Sequence, residues 1–311
     1  MLAHVGSLVL APAQFLPGLV LGALYWRRAG VLSANGRAVA PVRQACFYGG
    51  LALVLATFVS PLAHMADELF WAHMAEHLLI ADLGALAMAA GLTGPILQPI
   101  LRIPALAWLR HLAHPVVAVT LWSANLVAWH TPVLHEAALA SEPLHGLQHV
   151  LFVGLGLNMW LALIGPLPSP TWFGNAAKLL YIIGVRLIST IAANVFVWGE
   201  SDLYAAYAPG RAEWGLSAST DQVVAGSIMM VEGSLLTIGL FAWVFLRSAR
   251  EGEERQALLD LADDRGVALS ERRAARAVAA GQGDRLRARI THDSALDAVD
   301  AVPEEPPTHH G

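Results

Sequence analysis

Two pairs of histidines stand four residues apart, in His73-Met-Ala-Glu-His77 and His145-Gly-Leu-Gln-His149. On a helix this spacing puts both imidazoles of a pair on one face, about 6 Å apart along the axis. Imidazole is the commonest metal-binding side chain and suits copper, zinc and iron. Two helices presenting such pairs at one depth could build a three- or four-coordinate site, with His130 joining from a third helix. Methionines are expected nearby, at Met65, Met74, Met229 and Met230. Thioether beside imidazole favours copper, Cu(I) above all, over magnesium or calcium. Met229 is therefore grouped with the candidate ligands; Met230, its neighbour, cannot share its helix face. The single cysteine, Cys46, excludes an internal disulfide and a multi-thiolate site.

The elements that must position these residues are membrane spans. The chain has 311 residues, 56% hydrophobic and only 14% charged, with a mean hydropathy of +0.54. Soluble domains carry about 25% charged residues. A bilayer-spanning helix needs about 20 apolar residues, and such runs occur at 8–26, 45–63, 73–93, 114–132, 145–165, 178–198 and 222–246. The expected fold is therefore all-α, a polytopic bundle of seven transmembrane helices over residues 1–246. A polar tail, partly helical or disordered, follows over 247–311 and ends in Pro303-Glu-Glu-Pro-Pro. Arginines gather in alternate connections: Arg27, Arg28, Arg37 and Arg43, then Arg102 and Arg110, then Arg247 and Arg250; Lys178 opens the sixth run. The intervening connections hold Asp67, Glu68, Glu136, Glu142, Glu200, Asp202, Glu213 and Asp221, with Arg211 the exception. The positive-inside rule then places the N-terminus outside and the C-terminus in the cytoplasm. Nothing basic precedes the first run, so it is expected as an N-out anchor and not a cleaved signal peptide.

In this topology His73, His77, His130, His145 and His149 fall at the outer ends of three helices. His64 and His135 are expected as loop residues on the same side. His111 and His114 lie on the other side, and His4, His309 and His310 are peripheral. Asp82, Arg186 and Glu232 fall well inside the hydrocarbon, where an unpaired charge costs at least ~2.5–3.5 kcal/mol. Arg186 is expected to pair with Glu232, Asp82 or both, as a structural ion network. Asn125 and Asn158 are expected to hydrogen-bond between helices. The glycines at 84, 91, 154, 156, 184, 226 and 233 suggest close helix approach. No basic patch points to nucleic acid.

Four segments together resemble one family: His73-Met-Ala-Glu-His77-Leu-Leu, Trp129-His130-Thr-Pro132, Leu144-His145-Gly-Leu-Gln-His149-Val-Leu-Phe152, and Asp221-Gln222-Val-Val-Ala225-Gly226-Ser-Ile-Met229. In order and spacing they are similar to the CtaG family, membrane assembly factors of the caa3-type cytochrome c oxidase. The resemblance implies a role in maturing the oxidase, by delivery or insertion of copper into its catalytic subunit. It implies the plasma (inner) membrane as location, and the catalytic subunit or other assembly factors as partners besides lipid. His73, His77, His130, His145, His149 and Asp221 are the positions that match by motif. After Met229 the family pattern departs, at Met230-Val-Glu232-Gly233.

Three other readings compete with a non-enzymatic, copper-binding assembly factor. A b-type cytochrome would use one histidine of each pair as axial haem ligands. Haem is less favoured than copper, because two pairs supply more imidazoles than one haem needs. A copper transporter would need polar residues through the full depth, yet the inner halves of the central runs are mainly Ala, Leu, Val and Gly. A metallohydrolase has only Glu76, beside His77, as a candidate base, and the HExxH spacing is absent.

Overall fold

The computed structural model describes residues 12–106, 108–167 and 169–292. The first residues of the first expected span, His4, and the chain end with His309, His310 and the proline-rich segment lie outside the described residues. Every element among the described residues is helical. Pro41, Pro61, Pro115 and Pro132 open their helices, and Pro95, Pro143 and Pro209 sit one residue further in. Proline suits the first turn, because the N–H it lacks would have no partner there.

In chain order the helices are α1 (Pro12–Ala34), α2 (Pro41–Val59), the short α3 (Pro61–Glu68) and α4 (Phe70–Gly91). After α5 (Gly94–Leu101) come α6 (Pro115–Trp129), α7 (Pro132–Leu139), α8 (Glu142–Ile164) and α9 (Asn175–Trp198). The last are α10 (Ala208–Trp214), α11 (Ala218–Asp264), α12 (Glu271–Ala279) and α13 (Gly283–His292). Helix covers each of the seven apolar runs from residue 12 onward. Five helices are long and apolar enough to cross a membrane, namely α2, α4, α8, α9 and α11. A sixth span results if α6 and α7 count as one helix bent by 73°. α1 is 23 residues long, but Gln14, Pro17, Arg27 and Arg28 dilute its apolar character. An exposed stripe of Leu180, Ile183, Leu187, Ile191 and Val195 runs along α9. Contiguous apolar surface of this kind belongs against lipid, not water.

α4 is the central element. Its middle, Leu78–Gly84, winds as a π-helix between two α-helical stretches. A π-bulge inserts one residue into the turn and rotates the rest of the helix, and such bulges concentrate at functional sites. α8 packs against this wide turn through Gly156. A Cβ there would meet the Ala81 carbonyl oxygen at 2.5 Å, and the Trp160 indole donates to the same oxygen at 3.2 Å. Gly84 and Gly91 likewise lie against α2, whereas Gly154 and Gly184 face open space and permit no contact of the expected kind.

The chain divides into two compact units, Met1–Ile238 and Gly239–Gly311. In the second, Leu258, Ala262, Val278, Leu286 and Ile290 form a small apolar core. The Ser270 side chain caps α12 by accepting from the Arg273 N–H.

Candidate metal centre

α4 begins at Phe70 because its first amides are capped from another helix. The two carboxylate oxygens of Asp221, on α11, accept from the N–H groups of Phe70 at 3.1 Å and Trp71 at 2.9 Å. Those amides lack intrahelical partners, and a carboxylate also suits the positive end of a helix dipole. Asp221 thus fixes where the turns bearing His73 and His77 stand. It does not join the histidines, contrary to the grouping by motif.

The two histidine pairs do meet. The rings of His73 and His77 lie 4.3 Å apart on α4, and those of His145 and His149 lie 4.4 Å apart on α8. Across the helices His73 faces His145 at 5.4 Å and His77 faces His149 at 5.6 Å. His73 is 0% exposed. Glu76 sits among them, with a carboxylate oxygen 3.6 Å from His149 Nε2. One ligand atom each from His73, Glu76 and His145 falls within 4.8 Å of the others.

Glu76 and His135, which the i, i+4 spacing does not pick out, therefore belong to the cluster. Glu76 is i+3 from His73 and shares its helical face, a signal present in the sequence. Gln148 holds the equivalent place in the second pair and is likewise buried. The larger miss is His135, expected in a loop. Pro132 follows the break at His130–Thr131 and starts α7 in a new direction, so that the fully buried His135 ring comes 4.7 Å from His73. His64, also expected in a loop, lies on α3 instead, exposed and 3.5 Å from Glu68.

A lid of short segments covers the cluster. His135 Nε2 lies 2.9 Å from the Tyr207 hydroxyl, and the Tyr204 hydroxyl donates to the His130 carbonyl at 2.8 Å. Burial pushes both phenols above their ordinary range, with the charge of Asp221 adding to it at Tyr207 and that of Glu136 at Tyr204. Both therefore stay neutral. Arg211, the cation out of place in the charge pattern, is buried in this lid against Asp202 and the Tyr204 carbonyl.

The cluster is polar, buried and short of partners. Both ring nitrogens of His73, His77 and His149 lack hydrogen bonds, as do His145 Nε2, His135 Nδ1 and one Glu76 oxygen. Each such buried group costs about 1–3 kcal/mol when left unsatisfied. Imidazoles and a carboxyl group gathered in one place fit a cation: each nitrogen lone pair it takes removes one of these penalties.

The model of the cytochrome c oxidase caa3 assembly factor family, CtaG, matches residues 23–251. The chain belongs to this family. No curated protein and no solved structure matches the chain. The match takes in every histidine of the cluster and ends early in the second unit.

Two further predicted residues lie beside this cluster. His130 ends α6, with Nδ1 2.6 Å from the Leu126 carbonyl and its ring against Phe196. Met229 packs in an apolar core with Phe70, Met74 and Phe196. Below them Arg186 reaches both expected partners, with Asp82 at 3.3 Å through two nitrogens and Glu232 at 3.5 Å. Its guanidinium also lies 5.5 Å from the Trp160 ring centroid. Asn158 donates between helices, to the Leu112 carbonyl. Asn125 instead accepts from Trp129 one turn along its own helix.

Proposed function

We propose that this membrane protein binds copper at the histidine cluster and supplies it to the catalytic subunit of cytochrome c oxidase. The observation that carries the reading is the meeting of His73, His77, His145 and His149, joined by His135 and Glu76, with most of their donor atoms unpartnered. Membership of an oxidase assembly family supports the client. Without thiolates such a site holds copper loosely enough to release it by ligand exchange. The protein acts by binding and transfer, with no turnover of a substrate.

In the same reading the chain spans the plasma membrane seven times. α1 is the first span, and the bent α6–α7 helix is the fourth. The arginine-bearing connections face the cytoplasm, so the cluster opens towards the outer face. Haem receives less support, since facing imidazoles 5.4 and 5.6 Å apart leave no slot for a macrocycle between α4 and α8. A copper transporter receives less too, because the inner halves of the central runs are mainly Ala, Leu, Val and Gly.

The test is oxidase maturation in cells carrying His77→Ala or His149→Ala. Both variants should insert into the membrane at parental levels yet yield oxidase without copper in its catalytic subunit. Normal oxidase activity in both would overturn the assignment.

A further inference from the structure

A small cavity borders the histidine cluster at His77, with a volume of about 30 Å³. That is about the space one water occupies in the liquid, enough for a single ion. His77, His130, Met74 and Met229 line it, together with Asp82, Arg186 and Glu232. We propose that this cavity is a second copper subsite, specific for Cu(I), with the Met74 and Met229 thioethers and the His77 and His130 imidazoles as ligands.

His130 shows the geometry of a prepared ligand. A carbonyl oxygen can only accept, so the neutral ring carries its proton on Nδ1, donated to Leu126. Nε2 then holds a lone pair, and it is buried without a partner. Anchoring one ring nitrogen on a carbonyl while the other is free is how ligating histidines are oriented. Both thioethers are held away from solvent, Met74 at 2% exposure and Met229 at 6%. Two thioethers and two imidazoles form a softer set than the nitrogen and carboxylate donors outside, and that softness selects Cu(I).

His77 links the two places. Its ring lies 4.3 Å from His73 and 5.6 Å from His149, yet it also borders the cavity. Both its nitrogens are unpartnered, so copper can pass inward by exchanging ligands around one imidazole. The inference rests on the copper reading above and adds a second station below it.

The full chain, purified in detergent with Cys46→Ser to remove the thiol, is loaded with Cu(I). Copper per chain and the copper X-ray absorption spectrum are then measured. The expected result is about two copper ions per chain with sulfur in the coordination shell. Met74→Leu/Met229→Leu, a volume-conserving change, should lose the sulfur signal and one equivalent. His73→Ala/His145→Ala should lose the other equivalent and keep the sulfur. A nitrogen- and oxygen-only spectrum unaltered by the methionine changes would overturn the inner subsite and leave the outer reading standing. Unchanged copper in the histidine variant, with sulfur present, would overturn the outer reading alone.

Discussion

Asp221 and Glu76 illustrate how two carboxylates near a histidine cluster take different work. Asp221 spends both oxygens on the first amides of α4, while the Glu76 oxygen 3.6 Å from His149 has no hydrogen-bond partner. Asp221→Asn should therefore keep the metal and lose stability. The amide retains one acceptor and gives up the charge at the helix start, at a cost of about 1 kcal/mol. Thermal unfolding and metal content of the same detergent sample check this, and lost metal with unchanged stability would make Asp221 a ligand. Glu76→Gln should show the opposite pattern, weaker metal binding with little change in the unfolding temperature. Spacing alone exposed the four paired histidines, because i, i+4 geometry is local. The role of Asp221 was not readable, since its partners stand 151 and 150 residues away.

At the scale of elements, the site depends on α4 and α8 lying close enough for rings to face each other. Gly156 permits that approach, with the Ala81 carbonyl 2.5 Å from where a Cβ would stand. Gly156→Ala must push the helices apart, and overpacking of this kind costs about 1–3 kcal/mol. The expected outcome is a lower unfolding temperature together with weaker metal binding, because His145 and His149 ride on the displaced helix. Gly154→Ala, which meets nothing within 4 Å, is the control and should leave both unchanged. The apolar runs showed where helices lie, to within a few residues at most ends. Two features escaped that reading. The π-helical turn over Leu78–Gly84 leaves no mark in hydrophobic periodicity. The bend after His130 was visible as Pro132, but its 73° angle, and hence the arrival of His135 beside His73, comes from packing under the lid.

Across the whole molecule, the arginine-bearing and acid-bearing connections alternate, while the cluster and its lid share the side of the acid-bearing ones. Reporter fusions or single-cysteine labelling should find Arg37 and Arg102 connections cytoplasmic and the Asp202–Arg211 lid outside. A cytoplasmic lid would reverse the proposed orientation and place the copper site on the wrong face for an outward-opening donor. Arg186 is held by Asp82 and Glu232 from two other helices. That network was legible as three charges at incompatible depth, since membrane burial demands partners. Which partner Arg186 takes was open in sequence and is both in the structure.

Metal bound at the histidine cluster is the central claim. The most direct measurement is the copper, zinc and iron content per chain of the detergent-purified protein, with a visible spectrum of the same sample. The result predicted is near-stoichiometric copper that is lost in His73→Ala/His77→Ala. A Soret band with stoichiometric iron, or copper content indifferent to that double substitution, would contradict it.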